Sequence, residues 1–161
     1  MPNDFRTELT VEAPRDALYK AIYTEDGVRG WWTRFADIGE QEGTKSTFRF
    51  PAAGFYVITR TEELTLNEQV IWKVVESKHP ESSGFEDLED WTGTTIRFQI
   101  EPAGDNQSKL VFVHEGLTPQ LECYDACERG WGHYIHSLKS YVETGEGSPY
   151  DDDSVDNIKW K

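Results

Sequence analysis

Cysteine, methionine, cationic side chains and long apolar runs are all scarce in this chain. It has two cysteines and one methionine in 161 residues, too few cysteines for a disulfide framework. No window approaches the roughly 18 to 20 consecutive apolar residues that cross a bilayer. The N-terminus, Met1-Pro2-Asn3-Asp4-Phe5-Arg6, lacks the basic segment and apolar stretch of a secretory signal, so the expected location is the cytoplasm. Sixteen Lys and Arg stand against thirty Asp and Glu, a formal charge of −14. Phosphate-rich partners meet repulsion over most of such a surface, which excludes nucleic acid and anionic membranes as expected partners. There is no phosphate-cradling glycine loop, no Ser-His-Asp order with a nucleophile elbow, no metal-ligand cluster and no basic aromatic patch. No motif establishes catalysis.

What is present describes one soluble globular domain, with 37% hydrophobic and 29% charged residues. Residues 1–147 read as that domain. Beyond them, 148–161 read as a solvated acidic tail carrying Asp151, Asp152, Asp153 and Asp156 after Pro149. Cys123 and Cys127 lie four apart at the start of the last predicted helix. At that spacing in a cytoplasmic chain they read as two reduced thiols. A zinc site needs two further ligands, and His114 and His133 are the histidines close in sequence. Structural zinc normally takes four ligands at tighter spacing, so the expectation is no metal and no cofactor.

Phe5, Leu9 and Val11 among Arg6, Glu8, Thr10 and Glu12 predict a strand over about 4–12. Pro14 ends it and suits a helix start, and Ala17, Leu18, Ala21 and Ile22 recur at helical spacing to about Tyr23. Thr24-Glu25-Asp26 opens a second short helix leading to Gly30-Trp31-Trp32. From 35 to 117, turn residues separate β-rich runs at Thr44–Phe50, Phe55–Leu66, Val70–Ser77, Thr94–Glu101 and Lys109–His114. Ile96, Phe98 and Ile100 share one face of their run, and Arg97, Gln99 and Glu101 the other. The polar span His79–Asp90, with Pro80, Ser82, Ser83 and Gly84, predicts a mobile loop, and Trp91 at its end is a core anchor or a pocket rim. A final helix runs from about Leu121 to Thr144. Tyr124, Cys127, Trp131, Tyr134, Ile135, Leu138, Tyr141 and Val142 form its apolar face, and Gly145 stops it. The order is β-α-α-β-β-β-β-β-α, an α+β fold with about six strands.

This order resembles the START-like, polyketide-cyclase-like (SRPBCC) helix-grip fold, in which a curved antiparallel sheet wraps around a long C-terminal helix. More narrowly, several segments are similar to the branch of activator of heat-shock protein 90 ATPase homologue-like proteins. They are Val11-Glu12-Ala13-Pro14 with Ala17 to Ile22, Trp31-Trp32, Leu110 to Leu117, Gly130-Trp131, and Ser137 to Gly145. The resemblance covers about residues 4–150. It implies an internal cavity between sheet and last helix, used across the superfamily for lipids, polyketides and other apolar ligands. It also implies a chaperone-linked, stress-response setting for the narrower branch.

Six Trp, seven Tyr and eight Phe supply rings that pack less completely than aliphatics and so favour leftover space. The cavity candidates are Trp31, Trp32, Phe55, Trp72, Trp91, Phe98, Phe112 and His114, with Tyr124, Cys127, Trp131, Tyr134, Ile135 and Leu138 from the final helix. A tightly packed aromatic core is the alternative. His114 shares the alternation of Leu110 and Phe112. It reads either as a polar group lining a cavity or, by default, as a core histidine bonded to backbone, Tyr124 or Tyr134. His133 and His136 default to the surface; Glu115, Asp125 and Glu128 have Arg129 or Lys139 as possible ion-pair partners.

Three functions follow. The first is binding of a small apolar or aromatic molecule by a monomer or weak dimer. The second is a chaperone-linked interaction module. The third is a polyketide-cyclase-like enzyme, for which His114 with Tyr124, Tyr134 or Arg97 are the polar candidates.

Overall fold

A computed structural model describes residues 4–151 of the chain. The elements are β1 (Phe5–Val11), α1 (Arg15–Tyr23), α2 (Glu25–Trp31), β2 (Phe35–Asp37), β3 (Lys45–Phe50), β4 (Phe55–Thr65), β5 (Gln69–Lys78), β6 (Thr95–Gly104), β7 (Gln107–Glu115) and α3 (Tyr124–Thr144). Single 3₁₀ turns sit at Pro51–Ala53 and Glu81–Ser83.

One seven-stranded antiparallel sheet has the order β1-β7-β6-β5-β4-β3-β2. Strands β2 to β7 form an uninterrupted meander, and β1 returns to pair with β7. The expected helix-grip α+β architecture is thus present, with one strand more than expected. That strand, β2, has three residues and pairs with β3 through Phe35↔Arg49 and Asp37↔Thr47. A run so short shows no alternation to read.

Register puts the apolar faces in line. Ile96 lies opposite His114, Phe98 opposite Phe112 and Ile100 opposite Leu110, and all six are buried. Along α3 the buried residues Cys127, Gly130, Trp131, Tyr134, Ile135 and Leu138 recur at three and four, so the helix lays one stripe on the sheet. Gly145 ends it at φ 88°, a left-handed residue that glycine adopts without steric cost.

The two short helices are fixed at Thr24, whose Oγ1 accepts from Gly27 N at 3.1 Å and so satisfies an open N–H at the start of α2. They approach so closely that a Cβ on Gly27 would stand 2.4 Å from Ala21 O. That same carbonyl accepts the Trp31 indole N–H at 2.9 Å.

Two segments depart from the sequence expectation. The span His79–Asp90 is tethered: His79 N donates to Leu88 O at 2.7 Å, and Glu86 N and Asp87 N donate to Glu122 Oε1 at 2.8 and 3.2 Å. His79, Asp90 and Trp91 are buried. Composition predicted a mobile loop because its middle is polar, whereas its ends are core. Past the expected boundary at 147, Tyr150 is fully buried. Its N donates to Trp32 O at 2.7 Å and its carbonyl accepts from Arg34 N at 3.1 Å. The rest of the acidic segment, 152–161, lies outside the described residues.

Candidate functional site

Among the described residues, the space between sheet and α3, where the cavity was expected, is packed with rings. Trp32 is their centre, with ring centroids 4.4 Å from Phe48, 5.0 Å from Trp131, 5.8 Å from Trp31, 5.9 Å from Phe50 and 6.1 Å from Trp72. Trp91 stacks on Trp131 at 5.8 Å and meets Phe55 edge-on at 5.3 Å. A void among these rings has a volume of about 10 Å³. That is the lower limit for one water, against the roughly 300 to 1,000 Å³ of small-molecule pockets.

Of the expected cavity residues, Trp32, Phe55, Trp91, Cys127, Trp131 and Tyr134 line this void, together with Phe50 and Gly130. Trp31, Trp72, Phe98, Phe112, His114, Ile135 and Leu138 are buried in the core around it. Tyr124 is half-buried at the start of α3. Its hydroxyl donates to Glu128 at 3.3 Å on the exposed side, so it does not face the void.

His114 is wholly buried, and both ring nitrogens are engaged. Trp131 Nε1 donates to Nδ1 at 3.0 Å. An indole N–H can only donate, so Nδ1 is the acceptor and Nε2 carries the proton. Nε2 then donates to Thr94 Oγ1 at 2.8 Å, whose hydroxyl donates to Trp91 O at 2.6 Å. Burial pushes the imidazole pKa down to about 3, over the opposing pull of Asp4 and Asp90. His114 is therefore a neutral core histidine. Its partners are Trp131 and Thr94, instead of the expected Tyr124 or Tyr134.

The remaining polar candidates do not converge on it. Arg97 is on the opposite face of β6, ion-paired with Glu115 at 3.3 Å. Burial, with Tyr150 nearby, raises the Tyr134 phenol pKa and keeps it protonated. Glu115 thus pairs with Arg97, and Lys139 pairs with Glu143 at 2.5 Å, not with the partners sequence proximity suggested. His133 meets Ser148 O at 2.9 Å, and His136 is exposed, with Nδ1 2.9 Å from Gly132 O.

A second constellation went unseen in the sequence. His79, Cys123 and Cys127 are buried, and their ligand atoms all lie within 4.8 Å of one another. His79 Nε2 is 2.9 Å from Asp90 Oδ1, and the ring is sandwiched by Phe55, stacked at 4.7 Å, and Phe85, edge-on at 5.2 Å. Burial disfavours a charge on this imidazole, but the Asp90 carboxylate and Cys123 outweigh it and raise the pKa to about 9. The Cys123 thiol is pushed up by Cys127 and by burial. His114 and His133 are the histidines nearest the cysteines in sequence, and neither belongs to this cluster. The antiparallel meander instead delivers the residue after β5 to the start of α3.

With this geometry in view, residues 12–143 match the family described as Activator of Hsp90 ATPase homolog 1-like protein. The chain belongs to that family. Among solved structures, this Activator of Hsp90 ATPase homolog 1-like chain is similar to the Aha1 dimer from Colwellia psychrerythraea. That match has 28% identity and a TM-score of 0.73, over 89% of this chain and 98% of the other. An HSP90 activator from Plasmodium falciparum is 14% identical, with a TM-score of 0.63 over 87% and 96% of the two chains. A protein from the dynemicin biosynthetic locus is 18% identical, with a TM-score of 0.67 over 92% of this chain and 50% of the other. At these lower identities the likeness is one of fold. A comparison with curated protein sequences finds no match. Among the described residues, no helix is long and apolar enough to cross a membrane.

Proposed function

We propose that this chain is a cytoplasmic protein-interaction module that acts on a chaperone of the heat-shock protein 90 type, in the setting of the stress response. The observation that carries this reading is the ring packing between sheet and α3 among the described residues. Where the helix-grip fold can hold a ligand, this chain places Trp32, Trp91 and Trp131 around a void of about 10 Å³, which leaves its outer surface as the part offered to partners. Membership of the activator family and the 28% identity to an Aha1 support a chaperone as that partner. The relative is a dimer, and a weak dimer is the assembly we assign to this chain.

The surface suggests the kind of contact. The chain carries a charge of −14, and among the described residues Leu66 is the exposed large apolar side chain. A polar, charge-steered and salt-sensitive encounter fits such a surface better than a large apolar interface. The test is ATPase turnover of a heat-shock protein 90 homologue from the same organism, titrated with this protein at low and moderate salt. Saturable stimulation that weakens with salt is expected. No stimulation, together with no binding in calorimetry by folded protein, overturns the proposal.

Binding of a small apolar molecule is a second reading, favoured by the aromatic lining of the void. Any molecule larger than water must displace rings, and two of them border the His79–Asp90 span, with Phe55 stacked on His79 at 4.7 Å and Trp91 following Asp90. Thermal stabilisation by members of a lipid and aromatic polyketide panel supports this reading, and no shift across the panel sets it aside.

A further inference from the structure

The cluster of His79, Cys123 and Cys127 borders the ring-filled interior, which Cys127 helps to line, but its chemistry points elsewhere. Two sulfurs and one imidazole, all buried, are the donor types that bind zinc, and a tetrahedral zinc sets such donors about 3.5 to 3.8 Å apart. Here the donor atoms already fall within 4.8 Å, so side-chain adjustments of about an ångström would close the site. We propose that His79, Cys123 and Cys127 form a binding site for one zinc ion, which ties the end of β5 to the start of α3.

Four features around the three residues are those a thiolate–imidazole metal site uses. His79 Nε2 faces Asp90 Oδ1 at 2.9 Å, which leaves Nδ1 as the ring nitrogen for a metal and supplies the carboxylate that orients a ligating histidine. The other Asp90 oxygen, Oδ2, is buried without a hydrogen-bond partner, and the Asp90 side chain is only 3% exposed. A buried carboxylate left so incompletely paired is costly in the protein's own terms, and a nearby dication offsets that cost. Trp91 Nε1 donates to Cys127 Sγ at 3.2 Å, which supports negative charge on that sulfur. Cys123 is the N-cap of the 21-residue helix α3, where the helix dipole opposes the upward push that Cys127 and burial give its thiol.

The proton and charge balance is simple. The two thiols and the His79 imidazolium release three protons to solvent as two sulfur–zinc bonds and one nitrogen–zinc bond form. The Nδ1 proton leaves so that its lone pair can bind, and the remaining imidazole proton stays on Nε2, donated to Asp90. Two thiolates neutralise the dication. Three protein donors leave one position of a tetrahedron, and the void that Cys127 helps to line has the volume of about one water. The site is thus closed by the chain except at one position.

The experiment uses full-length protein, reduced and treated with chelator, then titrated with Co²⁺ and afterwards with Zn²⁺. One equivalent of Co²⁺ should produce thiolate-to-cobalt charge-transfer absorption and tetrahedral d–d bands, which Zn²⁺ abolishes, and Zn²⁺ should raise the melting temperature. Cys127→Ser and His79→Ala should each remove the tetrahedral signature. Asp90→Asn should keep it with affinity weakened about 10- to 100-fold, and exposed His136→Ala should leave it unchanged. X-ray absorption of the zinc-loaded wild type should find two sulfur neighbours at about 2.3 Å, which keeps the question decidable if a cysteine variant does not fold. Folded wild type that gives no charge-transfer band overturns the proposal. So does a band that survives Cys123→Ser with Cys127→Ser, a zinc spectrum without sulfur, or a Cys123–Cys127 disulfide in place of metal in anaerobically purified protein.

Discussion

Trp131 Nε1 donates to His114 Nδ1 at 3.0 Å, joining the middle of α3 to the end of β7 through two fully enclosed polar atoms. This bond fixes the tautomer, and with it a relay from indole to imidazole to Thr94 hydroxyl to Trp91 carbonyl. Every member both fills space and satisfies its neighbour. The helix is held on the sheet by a directional contact as well as by ring packing, which turns the residue most suggestive of chemistry into a latch.

The latch has a measurable strength. His114→Phe keeps a ring of similar size but removes the acceptor for the Trp131 indole, leaving a buried N–H unpaired. The expected loss at pH 7 is about 1 to 3 kcal/mol, read from urea denaturation followed by tryptophan fluorescence. A loss under about 0.5 kcal/mol would mean the bond carries no weight.

Acid should expose the same residue. The folded-state pKa of His114, about 3, lies below its ordinary 6.5, so the folded protein binds fewer protons than the unfolded chain. Its contribution is complete above pH 6.5 and is lost as the pH falls from there toward 3, at about 1.4 kcal/mol per unit. From pH 7 to 4.5 the wild type should lose about 2 to 3 kcal/mol more than His114→Phe. Parallel pH profiles for the two proteins would show that His114 is not buried neutral.

How much of this was legible follows from which interactions are local. Ile96, Phe98 and Ile100 alternate within one strand, and Trp131, Tyr134 and Leu138 recur within one helix, so periodicity alone places them. The three residues of β2 are too few to show a period. The neutral state of His114 follows from enclosure by Thr94, Trp91 and Trp131, which strand alternation does not reveal. His79 was hidden for a different reason. The composition of 80–89 reports that those positions tolerate water, and says nothing of a flanking histidine that the meander carries to Cys123 and Cys127. Pairing cysteines with the histidines nearest in sequence fails in a sheet whose neighbours are set by register.

Tyr150 tests where the packed chain ends. Its hydroxyl accepts from Ala52 N at 2.6 Å and Ala53 N at 3.3 Å, and its ring meets Phe50 at 5.2 Å and Phe35 at 6.0 Å. Water can replace the hydroxyl at the exposed Ala52 but nothing replaces the ring. Tyr150→Phe should therefore cost about 1 kcal/mol and Tyr150→Ala about 3 to 5 kcal/mol by urea denaturation. Equal stability of Tyr150→Ala and wild type would place the end of the packed domain before this residue.

Trp32 separates a filled interior from one that opens on demand. It touches rings from β3, β5 and α3, so Trp32→Ala should cost about 3 to 5 kcal/mol and leave a cavity the surroundings only partly collapse into. An apolar cavity of that kind takes up small aromatic molecules. Indole should therefore raise the melting temperature of Trp32→Ala in a concentration-dependent way and leave wild type unmoved, because in wild type the tryptophan already holds that place. Equal stabilisation of both proteins would mean the wild-type rings part readily for a guest. Small-molecule binding would then take precedence over the outer surface as the activity to pursue.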